Sequence, residues 1–76
     1  MSVARNTEIS ATSEQSFEDA IRQGLSRATK TLRNVKGAWI KEQEVELEGD
    51  QISTYKVTMI VTFILYMAIN VLRRAG

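Results

Sequence analysis

The clearest structural signal lies in residues 37–65, which read GAWIKEQEVELEGDQISTYKVTMIVTFIL. Two strand-like runs, 37–48 and 52–65, flank Gly49-Asp50, and both turn residues tolerate the positive φ of a tight hairpin. Alternate positions in the second run are apolar and predict one face packed beneath a helix: Tyr55, Val57, Met59, Val61, Phe63 and Leu65. The segment therefore predicts one long β-hairpin.

The first strand of this hairpin is less regular than the second. In an undistorted strand Ala38 and Ile40 would lie on one face, whereas Val45 and Leu47 would lie on the other. A β-bulge or a strong bend near Glu42 would bring both pairs to the same side, because one extra residue reverses the alternation.

The residues before the hairpin predict a strand and a helix. Residues 3–11 are rich in β-branched and small side chains, which favours a strand. Ser16, followed three positions later by Asp19, is typical of a helix start. Apolar and small residues then recur every three or four positions, until the pattern stops near Arg33: Phe17, Ala20, Ile21, Gly24, Leu25, Ala28 and Leu32. The order predicts an α+β fold with a three-stranded antiparallel sheet and one helix.

Composition limits what such a protein can do. With 76 residues there is room for one domain, whose small core leaves stability marginal unless oligomerisation adds to it. The chain has no cysteine and no histidine, which excludes disulfides, thiolate metal sites and the commonest general base. The net charge of +1 argues against nucleic-acid binding.

Several segments resemble the dodecin family. They are Thr12-Ser13 followed by SFEDAI at 16–21, RATKTLRNV at 27–35, WIKEQ at 39–43, and the residues 55–57 and 61–63 of the last strand. The resemblance covers residues 3–65 and implies a β-α-β-β protomer with the helix outside and the sheet facing inward. It also implies assembly into a hollow, spherical homododecamer that holds flavin (FMN, FAD or riboflavin) between subunits.

The residues that would contact flavin depart from the dodecin pattern. In flavin-binding dodecins a tryptophan early in the second strand stacks on the isoalloxazine ring, and a glutamine early in the third bonds to its polar edge. The resemblance places Gly37 at the tryptophan position and Lys56 at the glutamine position. Trp39, on the same face as Gly37, would stack in a shifted pose, or else anchor the core or a subunit interface. Lys56 would donate to flavin, or be a plain solvated or interface charge. Lys41 is the fourth candidate flavin contact.

A ladder of glutamates occupies alternate positions of the first hairpin strand. Repeated by symmetry around a pore, the carboxylates would bind hard cations such as Mg²⁺ or Ca²⁺, with Glu42, Glu44 and Glu46 as candidate ligands and Glu48 following them. The alternative is a solvated face countered by Lys41, Lys56 or arginines of another subunit.

Catalysis has little support, since the carboxylates lie in one row and no nucleophile, P-loop or dinucleotide-binding signature is present. We therefore expect a binding protein. The resemblance implies that it sequesters, stores or buffers flavin, and a flavin-free structural or ion-binding shell is the alternative. The N-terminus has no apolar run of the secretory type, so we expect a cytoplasmic location.

The C-terminal part of the chain carries no charged side chain from residue 57 to residue 72, although it includes Thr58, Thr62 and Asn70, and Arg73-Arg74 follow. This stretch is shorter than the roughly 20 residues that span a bilayer, and its first half alternates as a strand does. We therefore expect a dodecin-like domain over residues 1–65, an apolar tail over 66–76, and no membrane anchor.

Overall fold

The computed structural model describes residues 3–65, which form a strand, a helix and two further strands. Strand β1 spans Val3–Ser13, helix α1 spans Phe17–Thr31, strand β2 spans Val35–Glu48 and strand β3 spans Gln51–Leu65. The strands form one antiparallel sheet in the order β1-β3-β2. The predicted β-α-β-β fold is confirmed. Each strand is slightly longer than its sequence pattern indicated, and the apolar tail lies outside the described residues.

The hairpin turn is as tight as the Gly-Asp pair predicts. Glu48 lies opposite Gln51, which leaves Gly49 and Asp50 as a two-residue loop. Gly49 has a φ of 67°, a region that glycine enters without a steric penalty. A positive φ at the first loop residue alone is the pattern of a type II′ turn, whose twist matches that of the strands it joins.

The predicted β-bulge in β2 is present. Ile40 lies opposite Met59 and Glu42 lies opposite Thr58, so Lys41 is an extra residue with no partner position on β3. An extra residue reverses the alternation of the strand beyond it. Further register shifts fall near each end of β2, one before residue 37 and one after residue 46.

The bulge brings the apolar residues from both halves of β2 to the same side of the sheet. Ala38 and Ile40 precede it and Val45 follows it, yet all three lie opposite β3 residues of the face that α1 covers. Those partners on β3 are Val61, Met59 and Tyr55. One inserted residue therefore keeps the apolar side chains of β2 on the same side of the sheet on both sides of the bulge, although the helix covers only part of that side.

Helix α1 packs on this face through its small residues. Ala20, Gly24 and Ala28 are buried, as are Val57, Met59 and Val61 of the central strand. A Cβ atom at Gly24 would lie 2.5 Å from the Cε of Met59 and 3.1 Å from the Cβ of Ala11. Only a glycine lets the helix come this close without a shift of its neighbours. Phe17 meets Tyr55 edge to face, with ring centroids 5.1 Å apart.

The start of α1 is held by three side chains. The Oγ of Ser16 accepts a hydrogen bond from the backbone N–H of Asp19 at 3.0 Å, which confirms the predicted N-cap. The Asp19 carboxylate does not return this bond to Ser16, as a capping box would. It accepts at 2.6 Å from the Oγ of Ser13, which itself accepts from the backbone N–H of Ser16. Hydrogen bonds from Ser13 and Gln23 lower the pKa of Asp19, because they stabilise the ionised carboxylate.

The far end of the hairpin extends beyond the cover of the helix. Val45, Leu47 and Ile52 are exposed there, and Leu47 retains 62% of its surface. Exposed apolar side chains grouped in this way are typical of surfaces that another protein chain covers. In a single chain, this part of the sheet is therefore not covered by the helix and its apolar side chains are exposed. Within residues 3–65, no helix is long and apolar enough to cross a membrane.

Candidate ligand-binding site

The sheet surface opposite α1, here called the helix-free face, carries the candidate flavin contacts. The central strand alternates, so the side chains next to the buried ones point to this face; they are Lys56, Thr58, Ile60, Thr62 and Ile64. Gly37 lies opposite Thr62, and Trp39 lies opposite Ile60. The sequence therefore placed Gly37 and Trp39 correctly on one common face.

Trp39 is half exposed on this face. The residue retains 52% of its solvent-accessible surface, and it lies opposite Ile60 on the central strand. Beside it, apart from Gly37 and its two chain neighbours, no heavy atom of residues 3–65 lies within 4 Å of the place that a Cβ at Gly37 would occupy. The interpretation of Trp39 as a core residue of its own chain is therefore wrong, because strand alternation places it opposite Ile60, on the face away from the helix. An indole surface beside open space is available to a ligand or to another subunit.

Lys41 reaches the helix-free face from the bulge. Its Nζ lies 3.0 Å from the Oε1 of Glu8 on β1, and both side chains are about half exposed. Glu8 lies opposite Ile60, so this ion pair passes over the central strand from one outer strand to the other. The hydrogen bond and charge of Glu8, with a smaller contribution from Glu42, raise the pKa of Lys41.

Lys56 is engaged with an acidic neighbour. Its Nζ lies 3.8 Å from the Oε1 of Glu44, which is the residue opposite it on β2. The pair is partly exposed and its separation is long, so it contributes little to stability. This contact matches the interpretation of Lys56 as a charge that counters the glutamate ladder.

The first three glutamates of the ladder lie on the helix-free face. Glu42, Glu44 and Glu46 are opposite Thr58, Lys56 and Thr54 respectively. Within the described part of one chain, no three acidic side chains lie close enough together to hold a metal ion. A cation site built from these carboxylates would therefore need more than one subunit.

Hydroxyl and amide groups line the floor of the face between the charged residues. Thr58 is only 6% exposed, and its Oγ1 lies 3.4 Å from the Oγ of Ser10. The Oγ1 of Thr62 donates to the Oδ1 of Asn6 at 2.8 Å. Next to Trp39 and Ile60, these groups make a surface that is apolar in one part and hydrogen-bonding in another.

Sequence reasoning missed Glu8, Ser10 and Thr58 as members of this site. Their contribution depends on β1 pairing with β3, which sequence periodicity does not reveal at such long separation. Residue types gave no other cue, since isolated glutamates and hydroxyls on strands are ordinary surface residues.

Comparison with known proteins gives the dodecin family. The family model described as Dodecin matches residues 3–66. A mutant of the dodecin from Thermus thermophilus is 34% identical, with 86% of this chain and 97% of that chain covered and a TM-score of 0.81. The dodecin from Streptomyces davaonensis is 38% identical, with 84% and 94% covered and a TM-score of 0.80. A comparison with curated proteins gives no match.

A more distant structure shares the fold. It is the protein described as calcium dodecin from Mycobacterium tuberculosis, which is 24% identical. The alignment covers 87% of this chain and 94% of that one, with a TM-score of 0.74. At this identity the similarity supports the architecture alone.

Proposed function

The chain belongs to the dodecin family, and on that basis we propose that it binds flavin without catalysing a reaction. Family and fold support a small oligomeric protein, and the matched family is not one of enzymes. In the proposed assembly, a homododecamer holds riboflavin, FMN or FAD at subunit interfaces. Binding would sequester, store or buffer the flavin in the cytoplasm, which cell fractionation would test.

The observation that carries this proposal is the position of Trp39. A half-exposed indole stands on the helix-free face with open space at Gly37 on one side and Ile60 on the other. Stacking of aromatic rings contributes about 0.5–1.5 kcal/mol beyond the burial of their area. With no side chain at Gly37, an isoalloxazine ring would lie between positions 37 and 39 and stack on the indole of Trp39.

Polar groups near Trp39 would hold the edges of the ring. The Lys41 ammonium is fixed by Glu8 on the same face, and the Lys56 ammonium lies by Glu44. Each ammonium has three N–H donors, so one carboxylate partner leaves others for a flavin carbonyl oxygen. In this proposal Lys41 and Lys56 are the polar partners, and Trp39 supplies the stacking surface.

The exposed part of the hairpin supports the oligomer in which this site would form. Val45, Leu47 and Ile52 cannot reach α1 of their own chain and remain exposed. Their burial between subunits would add the apolar contact area that a protomer of this size lacks. A dodecamer would elute at about twelve times the 8.6 kDa protomer mass, which light scattering after size exclusion would measure.

A fluorescence titration tests flavin binding directly. Riboflavin and FMN would be added to the size-checked oligomer while flavin and tryptophan emission are recorded together; Trp39 is the sole tryptophan. We expect saturable mutual quenching in the unmodified protein and its weakening by at least tenfold in Trp39→Ala. The control Trp39→Phe retains an aromatic ring and should retain most of the affinity. Absence of quenching at tens of micromolar flavin, with the oligomer intact, would reject flavin binding.

A gain-of-function variant gives a second, independent test. The open space at Gly37 admits a side chain without collision in one protomer. If flavin occupies this part of the face, Gly37→Trp should tighten binding by adding a second stacking surface. Gly37→Leu is the matched control, because it adds volume without a planar ring. Equal gains from both variants would mean that the indole does not stack on the ligand.

An ion-binding or purely structural shell is the alternative function. Three glutamates share the helix-free face, and copies related by symmetry would bring their carboxylates together. We would measure Ca²⁺ and Mg²⁺ binding by calorimetry on the intact oligomer and on Glu42→Gln/Glu46→Gln. Heat that saturates and disappears in the variant would support a cation site, whereas the absence of heat would leave a structural shell.

A further inference from the structure

Counted over residues 3–65, the helix-free face carries more negative than positive charge. Its carboxylates belong to Glu8, Glu42, Glu44 and Glu46, and its ammonium groups belong to Lys41 and Lys56. Lys36 lies at the register shift next to Gly37. Even if its charge is counted with the face, the four carboxylates outnumber the three ammonium groups. Any ligand that stacks on Trp39 therefore meets an acidic surface.

Both ammonium groups within the site already have carboxylate partners. Lys41 lies 3.0 Å from Glu8, and Lys56 lies 3.8 Å from Glu44. Among the residues that the structure describes, Glu42 and Glu46 take part in no ion pair. A phosphate that uses a remaining N–H donor of Lys41 or Lys56 would lie beside the carboxylate already paired with that lysine, and Glu42 and Glu46 add two further negative charges to the face. At an interface between copies of this face, the excess of negative charge is repeated.

From this charge distribution we infer that the site selects flavins without a phosphate, so that riboflavin binds more tightly than FMN or FAD. The inference rests on the proposed function and concerns the ligand of the same site. An FMN phosphate carries about −1.5 to −2 charges at pH 7. Its repulsion by partly exposed carboxylates acts over about 10 Å at 0.1 M salt. The isoalloxazine ring is common to all three ligands, so stacking on Trp39 does not distinguish them.

The same glutamates favour the sugar-like chain of riboflavin. Carboxylates accept hydrogen bonds only, and the ribityl chain offers several hydroxyl donors. Glu42 and Glu44 lie on the face beside Thr58 and Lys56, within the same sheet as Trp39. A terminal hydroxyl gains a hydrogen bond there, whereas a terminal phosphate gains repulsion.

The experiment compares two ligands at two salt concentrations. Riboflavin and FMN would be titrated into the intact oligomer at about 20 mM and about 500 mM NaCl, where the screening length differs severalfold. At low salt we expect the Kd of riboflavin to be at least fivefold lower than that of FMN. At high salt we expect the ratio to fall to within about twofold, because screening weakens repulsion and leaves stacking almost unchanged.

Charge variants then locate the source of the selectivity. Glu42→Gln/Glu46→Gln removes two carboxylates from the face and should tighten FMN binding severalfold at low salt. Riboflavin binding should weaken slightly, because the glutamine oxygen still accepts from a ribityl hydroxyl but without the charge of a carboxylate. The matched control Glu14→Gln/Glu18→Gln removes the same charge from the loop and helix, away from the site. This control should leave the ratio of the FMN Kd to the riboflavin Kd unchanged. The titrations at two salt concentrations use the unmodified protein, so they test the inference even if a variant fails to assemble.

The outcomes separate this inference from the proposed function. If both flavins bind with equal affinity, or FMN binds more tightly at low salt, charge selection is wrong while flavin binding stands. Charge selection by this face is also wrong if the two double variants change the ratio equally. If neither flavin binds the intact oligomer at either salt concentration, the proposed function fails and this inference fails with it.

Discussion

Lys41 and Glu8 join the two outer strands of the sheet across its centre. The Nζ of Lys41 lies 3.0 Å from the Oε1 of Glu8, although β1 and β2 each pair only with β3. The pair is possible because Lys41 is the extra residue of the bulge and its long side chain is aimed over the helix-free face. The bulge therefore keeps the apolar residues of β2 on the helix side of the sheet and places Lys41 within reach of Glu8 on the helix-free face.

The Lys41–Glu8 pair should give stability a dependence on alkaline pH. Its partner raises the pKa of Lys41 above the ordinary 10.5, so the folded state holds this proton more tightly than the unfolded state. The contribution is fully present below pH 10.5 and is lost as the pH rises through the raised pKa. We expect the difference in urea midpoint between the unmodified protein and Lys41→Met to shrink over that range. A constant difference up to the highest pH would show that the charge does not stabilise the fold.

Deleting Lys41 should destabilise the fold and its assembly far more than replacing Lys41 by another residue. Without the extra residue, either Ile40 or Val45 must leave the helix side, because the side-chain period of a strand is two. We expect the deletion to abolish assembly, as measured by light scattering. Lys41→Ser keeps the residue count and serves as the control, which should assemble normally. Normal assembly of the deletion would mean that the register tolerates slippage.

Gly24 is predicted to resist replacement although it lies inside a helix. Alanine would gain about 1 kcal/mol in helix propensity, but overpacking against Met59 and Ala11 costs about 1–3 kcal/mol. We expect Gly24→Ala to lower the free energy of unfolding by about 1 kcal/mol, measured by urea denaturation. Adding Met59→Leu should recover part of the loss, since the nearest atom is the terminal Cε of Met59. The exposed Ser26→Ala is the control and should be neutral or slightly stabilising.

The start of the helix should confer a dependence on acid pH. The pKa of Asp19 is held below its ordinary 3.8 by the hydrogen bonds from Ser13 and Gln23. This stabilisation is present above pH 3.8 and is lost as the pH falls through the lowered folded-state pKa. Asp19→Asn should therefore weaken the acid dependence of the urea midpoint. If the urea midpoint changes with pH to the same extent in Asp19→Asn and in the unmodified protein, the assigned hydrogen bonds are contradicted.

The N-cap itself should contribute at every pH. Ser16→Ala removes the acceptor of the Asp19 N–H bond and should cost about 0.5–2 kcal/mol, measured by urea unfolding at neutral pH. Ser16→Asn retains an N-cap acceptor and is the matched control. A loss of equal size in both variants would show that packing around Ser16, not capping, is responsible.

Much of the fold follows from local sequence patterns. The two-residue periodicity of β3, the three-four spacing of α1 and the Gly49-Asp50 turn each act over a few residues. The bulge was also predictable, because the apolar positions on the two halves of β2 conflict unless one residue is inserted. Strand ends were less accurate. A register shift at Lys36 lets β2 begin at Val35, and no local pattern marks that pairing.

The candidate site was only partly predictable. Gly37 and Trp39 share a face because of strand geometry, which needs no knowledge of neighbouring strands. The partners of Lys41 and Asp19 were not predicted from the pattern, because Glu8 and Ser13 approach them only after the chain has folded. Long-range polar contacts depend on the final register of the sheet, and a short periodic pattern carries no information about it.

Both outer strands of this sheet have one hydrogen-bonding edge that no strand of residues 3–65 occupies. Such an edge is a template on which a foreign strand adds and from which fibrils grow. On β2 the register shifts place Lys36 and Lys41 out of step with a regular ladder, and each carries a positive charge. An incoming strand would meet an interrupted backbone ladder at both places. The irregularities of β2 therefore also protect a long, apolar hairpin from aggregation before its proper partners arrive.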